Sequence, residues 1–330
     1  MQKINQITNI YSSDLNAVND IILSNSIGKS DLIQEITKNL INSGGKRIRP
    51  LLLIISSKLC GSTNPESYLN LASAVEMIHT ATLLHDDVVD MSEIRRGKKT
   101  ANAIWDNKAS ILVGDYLFSL SFQLMVKSQN LAVLELLSKT SSIIADGEVL
   151  QLQNSHNIHI STDKYLEIIF GKTAVLFSAC CEVGALINNL PNQQIKNLRD
   201  FGKNIGMIFQ IVDDILDYSS NQETLGKDLG NDFFEGKITF PIIKTLQSAN
   251  SQEQEFISET FTTNLHQSQK DLASFEKVLA IIKKYDALNQ CKKLASQIAV
   301  EASNNLSFFE NNTFKNQMLE ILEYSLHRIS

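Results

Sequence analysis

From Leu69 to Asp90 the chain runs without a glycine or a proline, and its apolar side chains recur three and four positions apart. That period places them along one side of a helix, whereas a strand would alternate at every second residue. Three further segments share the pattern: about Gly114 to Val126, about Asp163 to Ile187, and Ile195 to Tyr218. The last carries Gly202 and Gly206 one turn apart, which would let another helix come close. Only 4 prolines and 14 glycines interrupt 330 residues, of which 43% are apolar, so breakers are scarce. No strand alternation, repeat or low-complexity tail is visible. Gly61–Ser67, Gln153–Asp163 and Ser248–Glu255 read as loops, none with the composition of a domain linker. The expectation is one all-α domain spanning 1–330, with a polar-faced C-terminal third from about Asn250 serving as scaffold.

Charge narrows the function. A net charge of −6, with no long Lys/Arg run to offset it, argues against a nucleic-acid partner. Cys60, Cys180, Cys181 and Cys291 form no CxxC, and the 180–181 pair falls in an apolar stretch, so core thiols in a reducing cytoplasm are expected. The N-terminal MQKINQITNIYSSD lacks a basic-then-apolar signal pattern. The apolar run Pro50 to Ile55 is far shorter than the roughly 20 residues that cross a bilayer. A soluble cytoplasmic protein without a transmembrane segment is expected.

Two acidic clusters carry the chemistry. Asp86, Asp87 and Asp90 stand in LLHDDVVDMSEIRRG, and Asp213, Asp214 and Asp217 stand in FQIVDDILDYSS. At i and i+4 two side chains share a helix face, roughly 5.4 Å apart along the axis. The first cluster ends its helix, where the dipole is already negative, so a cationic partner is called for. One such cluster is equally well a solvated helix end. Two DDxxD patterns, each behind an apolar helical run, point instead to hard cations; Mg²⁺ takes one or two carboxylates and completes its shell with water and phosphate oxygens.

Basic residues supply the other half of a phosphate site. GGKRIRP holds Lys46, Arg47 and Arg49, and Arg95 and Arg96 follow the first acidic motif. Lys172 (GKT), Lys227 (GKD) and Lys237 (EGKITFP) come later. Arginine's fork suits bidentate phosphate contact and lysine offers a compact point charge. His79 lies on the same helix face as Asp86 and Asp90, and Gln210 precedes Asp213 by three residues. The GKT at Gly171–Thr173 is not a P-loop, because Leu166 stands where that loop needs its first glycine.

In order along Gly44 to about Ile243, GGKRIRP, LLHDDVVDMSEIRRG, GKT, FQIVDDILD and LGKDLGNDFFEGKITFPI resemble the signature regions of the trans-prenyl diphosphate synthases. The resemblance implies an isoprenoid synthase-type helical bundle around a deep central cavity, normally a homodimer. It implies that Asp86, Asp87 and Asp90, and from the other side Asp213, Asp214 and Asp217, hold Mg²⁺ against an allylic diphosphate. Arg95, Lys172, Lys227 and Lys237 would contact that diphosphate, with Thr173 and Gln210 nearby. Lys46, Arg49, His79 and Arg96 would bind isopentenyl diphosphate. Phe233 and Phe240 stand where leucine is common, and the C-terminal LHRIS departs from the family's basic tail, which leaves Arg328 without an assigned role.

Within the same resemblance, bulky residues four or five positions before the first aspartate shorten the product. Here those positions are Thr82 and Ala81, with Ile78 and Ala74 further down and no insertion in DDVVD. A deep tunnel and an all-trans product of about eight isoprene units follow, with Met125 or Phe122 as floor residues and a quinone side chain as the natural use. Product release would involve transient membrane contact. Three alternatives stay open: a shorter-chain (geranylgeranyl) synthase, an HD-type metal phosphohydrolase using the His85–Asp86 doublet, and a non-catalytic partner subunit.

Overall fold

The computed structural model describes residues 2–27, 30–219, 230–264 and 271–329. Its regular structure is helical apart from a two-stranded hairpin, Ile94–Arg95 against Lys98–Lys99. The chain divides into two compact units, neither of them a continuous segment.

The first unit comprises Met1–Ser141, Leu176–Gly202 and Ser303–Tyr324. Its central element is the helix Pro65–Val89, started by proline at its first position and by Asn64, whose side chain accepts from the Glu66 N–H at 3.1 Å. Every residue from Leu71 to Ile78 is buried, so this helix is covered on all sides along that stretch. Its most extensive neighbour is the helix Asn107–Lys127, and Ile48–Leu59 and Ser12–Asn25 pack against it as well. Leu51 to Ile55 are fully buried, each at 0% exposure. Gly202 backs directly onto the main chain of Phe177 and Ser178, the close approach that its position in a helical pattern predicts.

The second unit comprises Ser142–Val175, Lys203–Ala302 and Ser325–Ser330. It contains Thr162–Ile169, a π-helical turn at Phe170–Ala174, and the helices Phe240–Ser248, Ser251–Asn264 and Leu272–Lys284. Its core includes an aromatic cluster centred on Phe233, which lies 4.9 Å from Phe261 and 5.1 Å from Phe275 between ring centroids.

The long helical segments lie where periodicity placed them, with ends shifted by a few residues, most at Asn107–Lys127, which begins well before Gly114. Three differences have clear physical causes. The Ser248–Glu255 loop contracts to Ala249–Asn250 because the polar residues after it start a new helix. The hairpin escapes a search for alternation because its strands have two residues each. It is made by its turn: Arg96 and Gly97 both have positive φ, 55° and 73°, as a two-residue type I′ turn requires. Two helical stretches, Asn107–Lys127 and Thr162–Leu186, are also long and apolar enough to cross a membrane, although no uninterrupted apolar run shows it. In the second, 83% of the apolar window is buried inside the protein, as in a core helix. Cys180, Cys181 and Cys291 are buried, Cys60 is half-buried, and all four are free thiols.

Candidate active site

In the first unit, Asp86, Asp87 and Asp90 end the Pro65–Val89 helix, with Asp90 as its C-cap. They do not behave alike. Asp86 and Asp90 are half-buried, whereas Asp87 is 1% exposed and turns toward Arg95, whose Nε donates to Oδ1 at 2.8 Å. Burial pushes the Asp87 carboxyl up, against the pull of Arg95.

The residues expected around the second substrate are drawn together on this unit. Arg49 Nη1 lies 3.0 Å from His79 Nε2, and its guanidinium covers the Phe177 ring at 4.5 Å. The Arg96 guanidinium donates to the Gly44 carbonyl and lies against Gly45. Lys98 Nζ ties the hairpin to the same loop through the Asn42 carbonyl at 3.1 Å. Lys46 sits over the Tyr324 ring and donates to its hydroxyl. Arg47, inside the same GGKRIRP motif, is instead committed to Glu76 and to the Ile41 carbonyl. Desolvation and the surrounding Arg49, Arg96, Arg95 and Arg47 hold the His79 imidazole neutral, its pKa lowered well below the ordinary value. Arg49 Nε is buried with no hydrogen-bond partner. Concentrated positive charge with an unused buried donor is a site shaped for an anion.

In the second unit, Asp213, Asp214 and Asp217 differ as sharply. Asp213 accepts from Arg328 at 3.1 Å, and the Arg328 guanidinium lies 4.2 Å over the Phe209 ring. Asp214, 1% exposed, accepts at both oxygens: from Tyr165 Oη at 2.7 Å and from Gln210 Nε2 at 2.8 Å. Gln210 Oε1 in turn accepts from Thr173 Oγ1 at 2.8 Å. Asp217 accepts from the backbone N–H groups of Asn231 and Asp232, each at 3.1 Å, and so also serves the N-terminus of the short Asn231–Phe234 helix. Burial first, and then Asp232, pushes the Asp214 and Asp217 carboxyls up to about 8. Buried, oxygen-only donors with no countercharge bonded to them among the described residues fit a hard divalent cation. Among the described residues, no three Asp, Glu, His or Cys side chains are close enough together to hold a cation unaided. Carboxylates that share a cation with phosphate oxygens and water need not be.

Lys172 and Thr173 project from the π-helical turn, a helix irregularity common at functional sites. Lys172 Nζ donates to Glu148 Oε2 at 3.0 Å and to Gln151 Oε1 at 2.7 Å. The turn crosses the helix Leu131–Gln153 at Gly147, where a Cβ would stand 2.6 Å from the Lys172 backbone nitrogen. Lys237 pairs with Glu235 at 2.6 Å. Lys227 lies outside the described residues.

Ala81, Ile78 and Met125 are completely buried, on the two helices of the first unit that contact each other most extensively. Thr82 is half-buried, its hydroxyl on the His79 carbonyl at 2.8 Å. Phe122 packs edge-to-face on Phe118 at 5.5 Å. Two residues of the site had no signal that periodicity could supply. Tyr165 reads as part of an apolar face, and Arg328 sits in the C-terminal third, where scaffold alone was expected.

Residues 30–282 match the family model described as Polyprenyl synthetase. The chain is 37% identical over 318 residues to the all-trans-nonaprenyl-diphosphate synthase (geranyl-diphosphate specific) of Rhodobacter capsulatus, covering 96% of each. Over 328 residues it is 35% identical to the octaprenyl diphosphate synthase of Haemophilus influenzae, covering 99% of this chain and 98% of the other. The crystal structure of a polyprenyl synthase from Caulobacter crescentus, complexed with calcium and isoprenyl diphosphate, matches with a TM-score of 0.93 at 39% identity, over 99% of this chain and 98% of that one.

Proposed function

The chain belongs to the polyprenyl synthetase family, and on that premise we propose that it builds a long all-trans polyprenyl diphosphate of about eight isoprene units from isopentenyl diphosphate and an allylic diphosphate. The observation that carries the reading is the pair of guanidiniums Arg49 and Arg96 around the neutral His79, with the buried, unpartnered Arg49 Nε. Such a cluster attracts an anion beyond the one carboxylate, Glu76, that already acts on it, and a diphosphate supplies one. The whole chain, 1–330, is read as one catalytic domain.

Asp86, Asp87 and Asp90 on the first unit, and Asp213, Asp214 and Asp217 on the second, are the residues that would hold Mg²⁺. Bound there, the metal would supply positive charge for the departing diphosphate. The relative crystallised with calcium and isoprenyl diphosphate supports this pairing of divalent cation and substrate. Arg95, Lys172, Lys227 and Lys237 are the residues that would offer positive charge to the leaving group, where preorganised electrostatics lowers the barrier. Lys46, Arg49, His79 and Arg96 would hold isopentenyl diphosphate, whose double bond attacks the allylic cation; the new tertiary cation then gives up a proton to the released diphosphate and regains a double bond. His79, kept neutral, donates or accepts a hydrogen bond without adding to the cationic crowding. Apolar walls must exclude water, which would convert the cation to an alcohol.

The small Ala81 supports an open tunnel, and relatives named for octaprenyl and nonaprenyl products support a length of eight units or one more. A homodimer is supported by Ile111, Leu112 and Val126, which leave 42%, 66% and 60% of their surfaces exposed along the Asn107–Lys127 helix. We place the enzyme in the cytoplasm, feeding a quinone side chain, with brief membrane contact at product release.

The test is extension of farnesyl diphosphate with radiolabelled isopentenyl diphosphate and Mg²⁺, followed by sizing of the products. Arrest at geranylgeranyl length refutes the long product. Phosphate release without elongation favours the phosphohydrolase, and activity that appears only with a second chain favours the partner subunit. Ala81→Tyr should shorten the product while leaving Mg²⁺ dependence intact.

A further inference from the structure

Tyr165 stands on the helix Thr162–Ile169, 3% exposed. Its ring stacks on Phe240 with 5.2 Å between centroids and 7° between planes. Its hydroxyl donates to Asp214 Oδ2 at 2.7 Å. The other carboxylate oxygen belongs to a separate line of donors, Thr173 to Gln210 to Asp214 Oδ1, each step 2.8 Å. Donation along that line has one direction. A hydroxyl donates to the amide oxygen and the amide nitrogen donates to the carboxylate, which fixes the orientation of the Gln210 side chain.

A carboxylate held at one oxygen can still swing about its terminal torsion, which is broad and roughly two-fold. Held at both, its plane is set, while each oxygen keeps a further lone pair. We propose that Tyr165 is a positioning residue of the second acidic motif: its hydroxyl fixes the plane of the Asp214 carboxylate, so that the remaining lone pairs face a divalent cation. Phe240 gives the phenol ring a flat surface and so holds the hydroxyl on target. Phenylalanine at 165 would fill the core and keep the stack equally well. The oxygen is what distinguishes tyrosine, and a buried hydroxyl is costly unless bonded. This inference rests on the reading of Asp214 as a cation ligand.

The test uses Tyr165→Phe in the full-length enzyme. Mn²⁺ binding is followed by electron paramagnetic resonance with inorganic pyrophosphate present, alongside turnover. Loss of a group that orients a metal ligand costs about 10- to 100-fold in affinity, so the Mn²⁺ half-saturation should rise at least about tenfold. The KM for isopentenyl diphosphate should not move. In an Asp214→Asn background the same change should add no further loss. Mn²⁺ affinity within twofold of wild type overturns the proposal, as does an equal loss in both backgrounds. Should Tyr165→Phe fail to fold, 3-fluorotyrosine at position 165 replaces it. Its ¹⁹F resonance should shift with Mg²⁺ and pyrophosphate in the otherwise wild-type protein and stay fixed with Asp214→Asn; no shift in the former overturns the proposal. Wild-type protein that binds no Mn²⁺ defeats the cation-site reading itself, whereas normal wild-type binding with an unaffected Tyr165→Phe defeats only the role of Tyr165.

Discussion

Gly147→Ala should damage catalysis far more than stability. A Cβ at this position would stand 2.6 Å from the Lys172 backbone nitrogen, 2.8 Å from the Gly171 carbonyl carbon and 3.0 Å from the Gly171 Cα. Non-bonded heavy atoms settle at about 3.5 Å or more, so the two backbones must separate by about 0.9 Å. None of the atoms met is the free end of a side chain, so only the main chain can yield. Overpacking of this kind costs about 1–3 kcal/mol, while alanine in a helix interior recovers about 1 kcal/mol over glycine, leaving a net loss of about 0–2 kcal/mol. The ammonium of Lys172 is more exposed to the change. Glu148 and Gln151, which hold it at 3.0 and 2.7 Å, ride on the helix of Gly147, whereas Lys172 rides on the turn being pushed away. Retreat by about 0.9 Å takes the shorter bond to about 3.6 Å, beyond hydrogen-bond range. Misplacement of a catalytic group by about 1 Å costs about 10²-fold. The assay is the initial rate of isopentenyl diphosphate incorporation into farnesyl diphosphate, with a melting curve on the same preparation. A variant with wild-type kcat would show that Lys172 is not placed by this crossing.

Three other outcomes are expected. Phe233→Ala, at the fully buried centre of the aromatic cluster, should destabilise the protein by about 3–5 kcal/mol in denaturant titration. Burial raises the Glu182 carboxyl, against the pull of Arg199, so the folded state binds its proton more tightly than the unfolded chain, and stability falls as pH rises from the ordinary carboxylate range. Glu182→Gln should therefore melt higher than wild type at neutral pH and no higher near pH 4, as calorimetry at the two pH values would show. Arg328→Gln removes the contact to Asp213; with that carboxylate side chain 38% exposed, unfolding free energy should change by no more than about 1 kcal/mol.

The sequence was most legible where one residue type has one physical use. Paired aspartates at helical spacing, glycine beside arginine, and a long stretch without breakers each point one way, and the first acidic helix lies almost where periodicity puts it. Legibility fails where a side chain has two uses. Tyr165 has the spacing of a core residue and is one, yet its hydroxyl meets a carboxylate 49 residues away. Asp217 shares the spacing of a ligand but spends both oxygens on backbone N–H groups that appear only once the Asn231–Phe234 helix forms. Arg47 is as basic as its neighbours, yet Glu76, buried on the next helix, claims it. The π-helical turn at Phe170–Ala174 leaves no trace in composition, since one extra residue per turn barely alters a hydrophobic period.

If Arg96 binds substrate as proposed, the tight turn at Arg96 and Gly97 sets thermal endurance against chemistry. An arginine held at φ 55° sits in left-handed backbone that a side chain with a Cβ tolerates at a cost of order 1–3 kcal/mol, and glycine or asparagine would be comfortable there. A library selected only for heat resistance should therefore drift toward those residues at position 96, gaining robustness while discarding the guanidinium that donates to the glycine loop. Any engineering of this enzyme has to leave that discomfort in place.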